Sequence, residues 1–310
     1  MTDPFALPAP SLRFELPNGM SIAADAYGDP SHQPVLFLHG GGQTRHAWGN
    51  SAELLAQHGF YTICMDHRGH GESSWARLGE YRVYHFAEDL QHVIAQLDQK
   101  PILVGASLGG IASLLAETEQ EESVAKAVIL VDVTPRLETD GVARIIGFMK
   151  EGTSGFDSLE EVADSIAAYL PHRKRPKDQS GLAKNLRRGE DGRYYWHWDP
   201  NMLKTWEPGR YTEENDRKLK ERLQEVCNLD VPTLLIRGRQ SDLVSTETAA
   251  EFLDMVPHAE YVDLADAHHM VAGDRNDAFT DSVKEFLLRH FASGNTANAR
   301  GGLKPSVPGL

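Results

Sequence analysis

The sequence has few cysteines, little basic charge and no long apolar run. Only Cys64 and Cys227 occur in 310 residues, and neither stands in a Cys-x-x-Cys or similar ligand spacing, so a structural zinc site has no support. Cys64 falls within the apolar run from Phe60 to Met65, where a free thiol behaves as a small buried hydrophobe. No apolar stretch approaches the roughly 18 to 20 residues needed to cross a bilayer. The opening MTDPFALPAP has neither a basic n-region nor a continuous apolar h-region, so a soluble, cytoplasmic chain without a secretory signal is expected. Lys and Arg number 31 against 45 Asp and Glu, giving a formal net charge of -14. That balance argues against nucleic acid or an anionic membrane as a partner, because both are bound through clustered cations. The basic run from His172 to Lys177 (HRKRPK) is broken by Pro176 and preceded by Pro171, and it reads as a solvated loop. No internal repeat, heptad pattern or Gly-Lys-Ser/Thr phosphate loop occurs.

What is present is alternation. Short apolar runs predict strands at Arg13 to Leu16, Ser21 to Tyr27, Val35 to His39, Phe60 to Met65, Ile102 to Val104, Ala127 to Asp132, Thr233 to Arg237 and Tyr261 to Leu264. Between them Phe86, Leu90, Val93, Ile94 and Leu97 recur at helical spacing, as do Phe279, Val283, Phe286 and Leu287. This is the pattern of an α/β fold, a mostly parallel eight-stranded sheet with helices on both faces. Pro17-Asn18-Gly19 turns the first two strands into a hairpin. From Pro135 to Val226 no strand run is evident, and pieces such as Leu159 to Leu170 and Glu213 to Glu225 have helical character. The expected organisation is a discontinuous core (1–134 and 227–292), an inserted helical cap (135–226) and a disordered tail (293–310) rich in Gly, Asn, Ala, Ser and Pro.

The strongest local signal is Gly105-Ala106-Ser107-Leu108-Gly109, directly after an apolar strand and before a helical run. In that setting G-x-S-x-G forms a sharp strand-to-helix turn that pushes the serine out of the sheet edge, and Gly105, Gly109 and Gly110 relieve the crowding. A serine hydroxyl is a weak nucleophile at neutral pH. It needs a base to take its proton and a carboxylate to hold that base in one tautomer. Asp242 and the pair His268 and His269 follow predicted strands and Asp132 ends one, all at the sheet end where ligands bind in open α/β folds.

The elbow, the run Asp66-His67-Arg68-Gly69-His70-Gly71-Glu72-Ser73, the segment Gly238 to Asp242 and His269-Met270-Val271 together resemble the α/β-hydrolase family. The resemblance spans about Val35 to Phe291 and is least constrained over the cap. It implies the chain order Ser, acid, His, hence Ser107 as nucleophile, Asp242 as acid and His269 as base, preceded by His268 where the family usually has Gly. Asp132 is the alternative acid, since some members carry the carboxylate after that earlier strand. Asp66 belongs to the structural signature. His39-Gly40-Gly41-Gly42 matches an H-G-G-G lipase and esterase pattern. With it, the resemblance implies an oxyanion hole made of the Gly41 and Leu108 N-H groups.

The aromatic run Tyr194-Tyr195-Trp196-His197-Trp198-Asp199-Pro200 is expected to seal the cap to its base, with direct substrate contact as the alternative. The implied activity is hydrolysis of a carboxylic ester of a small or medium acyl substrate, with no metal or organic cofactor. Carbon-carbon hydrolysis, lactone opening, thioester cleavage and perhydrolysis would use the same triad. A ligand-binding sensor on the same fold is the reading from another class. Ser107 argues against the epoxide hydrolases and haloalkane dehalogenases of the same fold, whose nucleophile is an aspartate, and oligomeric state is not legible.

Overall fold

In a computed structural model, the protein is described over residues 9–77, 80–171, 180–205, 213–265, 267–269 and 276–291. The HRKRPK run, the tail and Met270-Val271 lie outside the described residues.

Eight strands form one sheet: β1 (Leu12–Glu15), β2 (Ser21–Tyr27), β3 (Gln33–Leu38), β4 (Phe60–Met65), β5 (Ile102–Ala106), β6 (Ala127–Val131), β9 (Thr233–Gly238) and β10 (Glu260–Leu264). Their spatial order is β1-β2-β4-β3-β5-β6-β9-β10. The β1–β2 and β2–β4 pairs are antiparallel and all others are parallel, so the expected mostly parallel sheet is observed. The central strands are buried on both sides, which is why they read as continuous apolar runs and not as alternations. The pleat still sorts them by face. Leu36, Leu38, Leu103, Leu130 and Leu235 pack in one cluster with α2 (Val83–Ile94), α3 (Leu108–Thr118) and α8 (Thr246–Met255). Val35, Phe37, Val104, Ile129 and Ile236 pack in the other with α1 (Gly49–Gln57) and α9 (Asn276–Phe291). Phe279, Val283, Phe286 and Leu287 of α9 are all fully buried, as their spacing predicts. Cys64 lies in this second cluster, where burial raises its thiol pKa well above the usual value and keeps it protonated.

Between β6 and β9 the chain forms α4 (Thr139–Glu151), α5 (Leu159–Tyr169), α6 (Asn201–Thr205) and α7 (Glu213–Gln224). The insertion is not purely helical. Residues β7 (Leu186–Arg188) and β8 (Tyr194–Trp196) pair as an antiparallel hairpin, closed by a turn in which Gly192 has φ of 83°. Three-residue strands are too short to show a two-residue period, so the sequence does not betray them. Among the described residues no helix is long and apolar enough to cross a membrane.

Candidate active site

Ser107 stands between the end of β5 and the start of α3 with φ of 47° and ψ of -114°. It and Asp132, with φ of 50°, are the positive-φ residues other than glycine among the described residues. Such backbone costs roughly 1 to 3 kcal/mol per residue and persists where the surroundings over-determine it. Here packing dictates it. A Cβ on Gly109 would lie 2.3 Å from the Leu38 carbonyl oxygen, and one on Gly105 would lie 2.5 Å from that of Gly109. The helix therefore starts so close to the sheet that only glycine fits, and the serine between them is forced outward.

The histidine sits where the sequence places it, but its carboxylate partner is not Asp242. His269 Nδ1 donates to Asp132 Oδ2 at 2.8 Å, and the Asp132 side chain is fully buried. Asp132 directly follows β6, with its backbone N-H on Ile236 O at 2.7 Å. Its left-handed turn sets the carboxylate beside the end of β9, where Gly238 N-H donates to Oδ1 at 3.0 Å. The His269 loop is pressed onto the same strand end. Gln240 N-H bonds Ala267 O at 2.9 Å, and a Cβ on Gly238 would lie 2.5 Å from His268 O. Asp242, by contrast, is about half exposed and paired with Arg144 Nη1 at 2.7 Å. Its own carbonyl oxygen is covered by Gly141 of α4. The expected pairing of His269 with Asp242 is thus replaced by one with Asp132, because Asp242 is turned away from the sheet end toward Arg144 of α4. Among the described residues Ser107 Oγ has no hydrogen-bond partner.

The loop after β3 lies beside the serine, since a Cβ on Gly40 would sit 3.4 Å from the Ser107 Cβ. Gly40 N-H is taken by Gln43 Oε1 at 2.9 Å and Gly42 N-H by His70 Nε2 at 3.1 Å. Gly41 N-H and Leu108 N-H have no acceptor among the described residues. Both belong to segments adjoining Ser107, and Leu108 N-H is one of the free donors at a helix start.

His39, His67 and His70, all buried, hold this loop, a role not read from the sequence. His39 Nδ1-H donates to Gly40 O at 2.8 Å and its Nε2 accepts His67 N-H at 3.1 Å. His67 Nε2-H donates to His39 O at 3.1 Å, and His70 Nδ1-H donates to Arg68 O at 3.0 Å. Each His39 and His70 ring therefore has one donating and one accepting nitrogen, the neutral form. Burial pushes His39 down to about 4 and, with the neighbouring His39 adding to it, His70 down to about 3. His67 falls well below its usual value for the same reason. The unfolded state takes up these protons near 6.5 and the folded state only far lower, so their stabilisation is complete above that pH and is lost on acidification toward 4 and 3. Urea midpoints are accordingly expected to be flat above pH 7 and to fall between pH 6.5 and 4, with a shallower fall in His70→Gln. An identical slope in that variant would contradict this.

A model of the alpha/beta hydrolase fold family matches residues 33–275. The chain belongs to the α/β-hydrolase fold family. Its relatives include esterase Rv0045c of Mycobacterium tuberculosis, 28% identical over 260 residues and covering 82% of each chain. Another is the 3-hydroxybutyrate-oligomer hydrolase of Cupriavidus necator, 27% identical over 284 residues, with 88% of this chain and 93% of that one covered. Among solved structures, E-2-(acetamidomethylene)succinate hydrolase superposes with a TM-score of 0.76 at 22% identity, over 89% of this chain and 98% of that one.

In this α/β-hydrolase the insertion is pinned to the core by its aromatic run. Trp198 bridges His70, His197 O accepts Gly71 N-H at 2.7 Å, and buried Asp199 accepts the Tyr81 hydroxyl at 2.6 Å. These contacts seal insertion to base. Closer to the serine stands α4. Met149 Cε is 3.4 Å from where a Gly42 Cβ would be, and Leu108 packs in the same apolar cluster as Met149, Ile145 and Ile146. No group of three or more metal-ligating side chains occurs among the described residues.

Proposed function

We propose that this α/β-hydrolase is a serine esterase acting on carboxylic esters of small or medium acyl substrates. The observation that carries the reading is the buried Asp132 carboxylate bonded to His269 Nδ1 at the strand end next to the strained Ser107. With Nδ1-H given to Asp132, the other ring nitrogen, Nε2, is free to take the Ser107 proton. Ser107 Oγ then attacks the ester carbonyl. The carbonyl oxygen becomes an anion between Gly41 N-H and Leu108 N-H, donors each worth about 3 kcal/mol in such a site. His269 passes the proton to the departing alcohol, which leaves an acyl-enzyme on Ser107. Water, deprotonated by His269 in turn, releases the acid. The esterase and oligomer-hydrolase names of relatives support this chemistry.

Residues 135–226 act in this reading as a cap over the core formed by 1–134 and 227–292. Met149 of α4 stands beside Gly42, the residue after the Gly41 donor, and Ile145 and Ile146 share the apolar cluster of Leu108, which favours an uncharged acyl chain. The test is release of p-nitrophenol from esters of one alcohol and increasing acyl length: a burst followed by steady turnover supports the reading, and a folded sample that turns over no ester overturns it. Met149→Ala is expected to raise kcat/KM for the decanoate relative to the butyrate about tenfold, the worth of roughly one apolar methylene contact. An unchanged length profile would remove Met149 from the pocket wall.

A further inference from the structure

The Asp132 carboxylate has a third donor that the sequence gives no reason to single out. Ser241 Oγ lies 2.6 Å from Asp132 Oδ2, the same oxygen that accepts His269 Nδ1-H. The direction of the Ser241 bond is forced. Leu243 N-H and Val244 N-H both donate to Ser241 Oγ, at 3.0 and 3.2 Å. They occupy the two lone pairs of the hydroxyl, and its single hydrogen goes to the carboxylate.

We propose that Ser241 is a positioning residue for the catalytic acid, fixing Asp132 so that Oδ2 stays in line with His269 Nδ1. This rests on the reading of Ser107, His269 and Asp132 given above. Three donors from separate segments then hold one fully buried carboxylate: Gly238 N-H on Oδ1, and Ser241 and His269 on Oδ2. Removing the Ser241 hydrogen leaves a buried acceptor short of a partner and frees the carboxylate to turn about its last bond. It also concentrates the negative charge on the bond to His269. An anion less satisfied elsewhere stabilises the imidazolium more, so the acid limb of the kcat/KM profile moves to higher pH.

Among the described residues, the other charged groups around this loop have partners of their own, separate from Asp132. Asp242 is held by Arg144, and Arg237 and Arg239 are both held by Asp263. Glu138, reaching in from ahead of α4, accepts the Ser245 hydroxyl at 2.7 Å. These partners, and the neighbouring His268, are common to wild type and variants, so a difference between their profiles reports on the Asp132 and His269 pair.

The experiment compares pH profiles of kcat and kcat/KM on one p-nitrophenyl ester for wild type, Ser241→Ala, Ser241→Thr and Ser241→Val. Threonine keeps the hydroxyl, and valine has the same shape without it. Expected are a kcat about tenfold or more lower in the Ala and Val variants, an unchanged KM, an acid limb moved upward, and a Thr variant restored toward wild type. A Thr variant no better than Val, or an Ala variant with wild-type kcat and limb, overturns the inference. The rate of fluorophosphonate labelling at Ser107, read in the same samples by mass spectrometry, gives the same comparison where ester turnover is too slow to follow. A wild type that neither labels nor turns over ester overturns the underlying reading instead.

Discussion

Replacing Asp132 by Asn is expected to lower kcat about 10,000-fold, whereas Asp242→Asn leaves kcat within about threefold, the range of a lost exposed ion pair. The asymmetry follows from the donors. Gly238 N-H, Ser241 Oγ-H and His269 Nδ1-H all converge on Asp132, and an asparagine offers one oxygen where the carboxylate offers two. Its amide N-H₂ must then take the place either of Oδ1, against the Gly238 N-H, or of Oδ2, against both Ser241 and His269. Facing His269, it makes Nδ1 an acceptor and moves the ring proton to Nε2, where it blocks the nitrogen that should receive the Ser107 proton. Asp242 is 42% exposed and bonded to Arg144, so its loss loosens one contact between α4 and the loop after β9. Steady-state kinetics of the two variants on one ester decide the matter. A collapse of activity in Asp242→Asn with a healthy Asp132→Asn would return the acid to Asp242.

The second large effect concerns stability. Arg45 is 1% exposed and binds Asp25, Asp66 and Glu72 at 2.9, 2.7 and 2.6 Å. Burial alone would lower the guanidinium pKa, and the three carboxylates more than offset it, so the group remains charged. Asp66 is fully buried and also accepts Arg45 N-H at 2.7 Å, which ties the segment after Gly41 to the run Asp66 to Ser73. Arg45→Met removes the cation and strands Asp66 as an uncompensated buried charge, at a cost of about 3 to 5 kcal/mol. That corresponds to a melting temperature lower by roughly 10 °C. Adding Asp66→Asn to Arg45→Met should recover part of the loss, because the two sites share one interaction. Calorimetry of the three proteins tests this. An Arg45→Met protein melting within about 2 °C of wild type would mean the network carries no net stability.

Much of this molecule is written locally. Each strand of the main sheet is an apolar run bounded by turn residues, and the elbow glycines declare a close approach that any larger side chain would block. The place of His269 after the last strand is visible in the sequence. Which carboxylate it bonds is not, and the reason is physical. Asp132 and Asp242 are both aspartates just past a strand, and what separates them is a backbone turn at φ of 50° and an arginine 98 residues away that claims Asp242. Neither can be seen in a linear string. The three-residue hairpin strands β7 and β8 are too short to show a period, and nothing in the sequence marks Ser241, whose hydroxyl direction is fixed by two N-H partners in the fold. The histidine cluster is equally hidden: His39, His67 and His70 are dispersed among 14 histidines, and only the fold sets their rings edge to face beside Gly40 and Gly42.

The most direct test of the central claim is labelling with a fluorophosphonate probe, followed by digestion and mass spectrometry, with Ser107→Ala and His269→Ala as controls. The account predicts a single adduct on Ser107, absent in Ser107→Ala and formed far more slowly in His269→Ala. A folded protein that takes no label, or one labelled on a different serine, would contradict it.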